Sequence, residues 1–362
     1  MDTVTQAALG AAIGEAGFRR RLGPQATLFG ALCGIFPDAD VALTWIDEWS
    51  MLTQHRGATH SLALMPLWIP LFGWLGWRLW KRHGELRTWM HLAGWALVTH
   101  ALLDWCTAYG TMLLWPFSMH RFALDAVSVL DPTYTLPLLL ALALARLKWV
   151  PERWAIRANA GALVFSTAYL VLGFVQSQRA IELARTQLAK DRAYAPVEVR
   201  AVPTFFNVWV WRVLARDAQG HLRLGFVSTW SPRPMTWIEL PRPVEPDAAR
   251  LVRTVLESPR GRDFEWFAQG MLSTRVERRV DGSTVELLDQ RLGLVTRSAD
   301  PPFRLIATLD AGDRILSVAR ERRSGPLEPR RELALLWGLW WGRDDAYAEL
   351  GALVKPTMAV GP

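Results

Sequence analysis

At 362 residues, with 41 Lys and Arg against 34 Asp and Glu, the chain is long enough for two domains and carries a formal charge of +7. The cations are scattered beside apolar segments instead of gathered into one patch, which argues against nucleic acid as a partner. Two distant cysteines, Cys33 and Cys106, imply no disulfide framework.

The first residues, MDTVTQAALGAAIGEAGF, lack a basic leader and read as mature protein, not as a signal peptide. Two short Ala/Gly-rich helices are expected over about 3–18 and 24–36, joined by the basic turn Arg19-Arg20-Arg21. They fall short of the roughly 20 residues a full span needs, so they are expected to tuck against a bundle. Gly10, Ala11, Ala12 and Gly14 permit close helix approach there. Long apolar runs then predict four transmembrane helices at roughly 62–80, 89–114, 133–150 and 156–176. Asp131-Pro132 reads as an ordinary helix cap with Pro at the first helical position.

From Ser177 onward Arg, Asp, Glu and Pro recur every few residues. A polar helix is expected over about 178–192 and a helical stretch over 246–271. Strands are expected at 205–216 and 222–230, joined by the hairpin turn Asp217-Ala218-Gln219-Gly220, and at 283–289, 303–309 and 314–320. The fold class is therefore a membrane α-helical bundle, residues 1–176, with four long transmembrane helices plus two short N-terminal helices. A C-terminal soluble α+β domain, residues 177–362, follows it.

Basic loops orient the bundle. With 19–21, 81–88 and 146–157 in the cytoplasm, Asp38, Asp40, His55, His60 and the connection 115–132 fall on the opposite side. The same count places the C-terminal domain in the periplasm. His100 and Asp104 share one face of the second long helix at spacing four, so both can reach one ion or each other. Ionisable side chains at membrane depth are costly unless paired or bound, which makes this cluster a candidate site. Asp38 and Asp40 follow Pro37 in an irregular turn from which both can face an ion, although a solvated helix-end turn has the same sequence. His55 and His60, five apart, suit a loop that turns back on itself with the help of Gly57. A mixture of imidazoles and carboxylates suits a divalent transition metal, zinc or manganese first, better than calcium. The bland alternative is a His–Asp hydrogen-bond cluster that ties helices together.

Met1-Asp-Thr-Val-Thr5, Pro37-Asp-Ala-Asp40, His55-Arg-Gly-Ala-Thr-His60-Ser, His100-Ala-Leu-Leu-Asp104, Thr107, Gly110 and Trp115-Pro-Phe-Ser118 together resemble the YdjM-like family of bacterial membrane-bound metal-dependent hydrolases. The resemblance covers about residues 1–135. It implies a multi-pass protein of the bacterial inner membrane with a metal site formed by Asp38, Asp40, His55, His60, His100 and Asp104. The chain departs from the family pattern at Gln6, where a histidine is common. More distantly, the order of acids and histidines is similar to the zinc phospholipase C and single-strand nuclease superfamily, which implies phosphoester cleavage. Arg56 then fits two roles equally, a catalytic contact to phosphate and an anchor at the membrane interface.

The expected function is an integral inner-membrane metal-dependent hydrolase, phosphoesterase-like, acting on a lipid head group or envelope phosphoester. Membrane lipid is the expected partner, and the protein partner of the C-terminal domain is open. The rival is a non-enzymatic membrane protein in which the polar cluster is structural and the C-terminal domain binds a partner.

Overall fold

The computed structural model describes residues 1–191, 194–322 and 328–354. They fall into two compact units, 1–174 with 205–207, and 175–204 with the chain from Val208 onward.

The first unit is helical. Asp2 caps α1 (Thr3–Ile13) by accepting the Thr5 amide. A π-helical turn, Gly14–Phe18, and the short α2 (Arg19–Leu22) lead to Gly23 and Pro24, after which α3 (Gln25–Ile35) runs back along α1. Gly10 of α1 and Gly14 of the π-helical turn face Gly30 and Ala26 of α3, and a β-carbon on Gly10 would overlap the Gly30 carbonyl oxygen. Only glycine permits this backbone contact, so the small residues noted in the sequence bring the two helices together.

The segment expected to stop at residue 36 does not. At Phe36 it tightens into a 3₁₀ helix, Phe36–Trp45, with Pro37 in its first turn, and Gln25–Trp45 together make 21 residues long and apolar enough to cross a membrane. The chain continues through α4 (Ser50–Thr53), a 3₁₀ turn at Leu62–Leu64, α5 (Met65–Leu79), α6 (Leu86–Trp105), α7 (Pro132–Leu144) and α8 (Glu152–Leu188). Against the four long spans expected, three helices among the described residues have the length and hydropathy of a span: Gln25–Trp45, Leu62–Leu79 and Glu152–Leu188. At 13 residues α7 is shorter than a span.

Helix α6 is long enough but is the core of its unit. Trp89, Leu92, Ala96 and Leu97 are buried against Leu22, Phe29 and Cys33. By contrast α5, α7 and α8 turn Leu67, Leu140 and Val164 outward, a pattern suited to lipid. The expected extension of α6 to residue 114 fails at Asp104, whose carbonyl accepts the Thr107 hydroxyl at 2.8 Å, and Gly110 then turns the chain at φ +85°. The segment after α6 returns over the histidine loop: Met112 N–H donates to Arg56 O at 3.0 Å and Leu62 N–H to Leu113 O at 2.9 Å. It also forms an antiparallel bridge between Thr111 and Phe122.

The helices expected at 156–176 and 178–192 are one helix, α8, because nothing between them breaks the pattern; residue 192 lies outside the described residues. The second unit holds two four-stranded antiparallel sheets. The first contains β1 (Pro196–Pro203), β2 (Val210–Asp217), β3 (Leu222–Ser228) and β4 (Ile238–Glu239) in that order. Strand β1, bounded by prolines that hide it from pattern reading, sits at the sheet edge, where proline is tolerated.

After it come α9 (Pro246–Leu256) and α10 (Pro259–Ala268), which replace the single helical stretch expected over 246–271 because Ser258 caps a new helix that starts at Pro259. The second sheet contains β5 (Leu272–Arg279), β6 (Gly282–Asp289), β7 (Phe303–Asp310) and β8 (Ile315–Arg322), again in order. Helices α11 (Pro329–Trp340) and α12 (Asp344–Val354) bury Leu335, Leu339 and Leu350 against Leu214, Leu224 and Phe226 of the first sheet.

Candidate metal centre

Three elements of the helical unit carry the candidate ligands: the 3₁₀ helix after α3 carries Asp38 and Asp40, the loop after α4 carries His55 and His60, and the last turns of α6 carry His100 and Asp104. Four of the six converge. One ligand atom from each of Asp38, His60, His100 and Asp104 lies within 4.8 Å of the other three. His60 Nε2 is 3.0 Å from His100 Nε2, 3.5 Å from Asp38 Oδ1 and 3.2 Å from Asp104 Oδ2. His100 Nε2 is 3.6 Å from both carboxylate oxygens. Donors about 2.0–2.1 Å from a tetrahedral ion stand about 3.3 Å apart, so these separations fit an ion of zinc or manganese size.

The rings are turned for coordination. His100 donates its Nδ1–H to the Gly34 carbonyl at 2.6 Å, which leaves the Nε2 lone pair facing the cluster. His60 Nδ1 lies 3.0 Å from Thr59 Oγ1, and that hydroxyl donates to Asp40 Oδ2 at 2.8 Å, so it accepts from the ring. Thr59, unmarked in the sequence reading, is thus the residue that orients His60.

Asp40 and His55 stand beside the cluster and bond to each other. His55 Nδ1 meets Asp40 Oδ1 at 2.6 Å, and Asp40 Oδ2 accepts the Arg56 amide at 3.0 Å. The 3₁₀ geometry explains the division, because residues two apart point in different directions there: Asp38 toward His60 and His100, Asp40 toward the loop. Burial holds the His55 imidazole below its ordinary pKa in spite of Asp40. The loop turns by a different device from the one expected. Arg56, not Gly57, adopts the left-handed conformation, at φ +65°. Gly57 is needed for space instead, since a β-carbon there would lie 2.8 Å from the Gln54 carbonyl oxygen.

Arg56 is buried and turned inward. Its Nε is 3.0 Å from Asp104 Oδ2, its Nη1 donates to Thr107 Oγ1 at 2.9 Å, and its guanidinium stacks on Tyr109. It therefore compensates Asp104 instead of standing ready at the interface. Arg121 packs on the same ring and donates to Gly110 O at 2.9 Å. As the one arginine in the connection 106–131, it was the available signal. Asp104 Oδ1 is held by the α-amino group of Met1 and by Gln6 Nε2 at 3.1 Å. Of the four converging side chains only Asp38 reaches the surface, with 14% exposure against 0% for the others.

Residues 1–180 match the family model described as YdjM inner membrane protein. The chain is also similar to "Uncharacterized protein YfhP" of Bacillus subtilis (strain 168), at 22% identity over 195 residues. That match covers 51% of this chain and 57% of the relative, so the chain spans little more than half of that relative's length. No solved structure matches the chain. With all the converging ligands inside the matched region, the helical part of this chain belongs to the YdjM inner membrane protein family.

Proposed function

We propose that this protein is a multi-pass inner-membrane hydrolase with one divalent transition metal, zinc or manganese, held by Asp38, His60, His100 and Asp104, and that it acts on a phosphoester such as a lipid head group. The observation that carries the proposal is the set of donor separations between 3.0 and 3.6 Å around the two imidazoles, with both rings turned to present Nε2. An ion held by these residues would supply Lewis acidity toward a phosphoryl oxygen. Gly34 and Thr59 fix the ring orientations, and Arg56 balances the charge of Asp104.

His55 takes a separate role. Asp40 holds its Nδ1, as an orienting carboxylate does for a general base, and Nε2 is left for proton transfer. With the basic segments at 19–21, 81–88 and 146–157 taken as cytoplasmic, the opening to the cluster, beside Asp38, and the domain after residue 176 would face the periplasm.

The structural rival draws support from one feature. Asp104 already has Arg56, Gln6 and the Met1 amine as partners without an ion. Metal analysis of the detergent-purified full chain decides between the two, combined with phosphate-ester release from phospholipid vesicles. About one bound zinc or manganese per chain, with hydrolysis abolished by chelation and restored by the metal, is expected. A folded, metal-free protein with no activity after metal loading would leave the rival.

A further inference from the structure

Gln6 sits against the cluster and was not among the ligands assigned. Its side chain is fully buried, and its Nε2 donates to Asp104 Oδ1 at 3.1 Å and to the His100 carbonyl at 3.3 Å. Both neighbours are acceptors, so the amide orientation is determined: the NH₂ must face them. The other arm, Oε1, is buried with no hydrogen-bond partner among the described residues. A buried amide oxygen without a partner forfeits the hydrogen bonds it would make to water, so it calls for one.

The geometry points to Gln6 as a further metal ligand, its amide oxygen adding a neutral oxygen donor that biases the centre toward manganese over zinc. The inference rests on the metal centre proposed above. Two imidazoles and two carboxylates already complete a tetrahedral zinc site, whereas a fifth donor suits an ion that takes higher coordination with oxygen ligands. The N–H arm has its own part in this. It holds Oδ1 of Asp104, while Oδ2 is the oxygen that faces His60.

The test is competition. Full-length protein in detergent is stripped, dialysed against equimolar manganese and zinc, and its metal content measured by mass spectrometry for wild type, Gln6→Met, Gln6→His and Gln6→Glu. Gln6→Met, similar in shape but without the oxygen, is expected to lower the manganese-to-zinc ratio by about tenfold. Gln6→His should move the ratio further toward zinc. Gln6→Glu is the discriminating variant. It keeps an oxygen donor but loses the N–H that holds Asp104, so a ligand role predicts a manganese share at or above wild type, whereas a purely hydrogen-bonding role predicts a loss like that of Gln6→Met.

Equal ratios in all four proteins, or parallel losses in Gln6→Met and Gln6→Glu, would overturn the inference while leaving the four-ligand centre intact. Wild type that holds neither metal would overturn both. If Gln6→Met fails to fold, as judged by helical circular dichroism and elution, the contrast between Gln6→Glu and Gln6→His decides alone.

Discussion

His60 and His100 point Nε2 at Nε2 across 3.0 Å, and the Nδ1 of each ring is already engaged, by Thr59 Oγ1 and by the Gly34 carbonyl. Two lone pairs at that separation repel, so the arrangement needs a cation, either a proton on one ring or a metal ion. Burial opposes charge on His60, but the carboxylates of Asp104, Asp38 and Asp40, which accept from the protonated ring, overrule it and raise the imidazole pKa to about 10.

Metal binding should therefore displace a proton. At pH 7.5 calorimetric titration in two buffers of different ionisation enthalpy is expected to show release of about one proton per ion, and affinity should fall as pH falls. The sign for stability follows from the raised value. In stripped protein the contribution of charged His60 is complete below its ordinary pKa of 6.5 and is lost as pH rises through about 10. Melting of the stripped protein should thus drop between pH 7 and 10, and metal-loaded protein should lose less. Identical pH profiles for the two forms, with no proton released, would contradict this assignment.

Alanine variants should sort into two groups. His60→Ala and His100→Ala remove donors that face the cluster and are expected to reduce bound metal by more than about tenfold. His55→Ala removes a ring bonded to Asp40, so it should keep the metal while losing most of the hydrolysis. Metal loss in His55→Ala as deep as in His100→Ala would place His55 among the ligands instead.

Close approach of α1 and α3 predicts a sharp contrast between two glycines. Gly10→Ala would drive a methyl into the Gly30 carbonyl and should cost about 1–3 kcal/mol or more. Gly17→Ala meets nothing within 4 Å and should be close to neutral. Thermal midpoints by fluorescence-detected gel filtration make the comparison. Equal midpoints for the two variants would mean that the helices are further apart.

Topology is open to a direct assay. Protease added to intact spheroplasts should remove the domain after residue 176, because the basic loops assign the cytoplasmic side to the other ends of the spans. Cleavage only after lysis would invert the topology and turn the opening beside Asp38 toward the cytoplasm.

Much of the site was legible as residue types. Ionisable groups beside apolar runs marked Asp38, His60, His100 and Asp104, and the spacing of His100 and Asp104 already put them on one helix face. Legibility was poorer where polarity and structure diverged. Apolar composition did not tell whether helix α6 faces lipid or protein, and its Leu92, Ala96 and Leu97 pack against protein at the centre of the unit. Edge strand β1 was hidden by its prolines, and Thr59 by being one polar residue among many in a loop.

Composition and periodicity by themselves determined that the chain has an apolar helical half and a polar half with strands, and which few ionisable residues lie in or beside the apolar runs. Those properties follow from local physics: hydropathy, side-chain period and the cost of charge in lipid. Tertiary structure alone decided that Asp38 and Asp40 part company, that His55 faces Asp40 and that Arg56 turns inward to Asp104. The reason is that ligand direction depends on the 3₁₀ twist after α3, the left-handed turn at Arg56 and the segment after α6 that returns over the loop. Each is set by contacts between residues far apart in the chain, where spacing along the sequence carries no information.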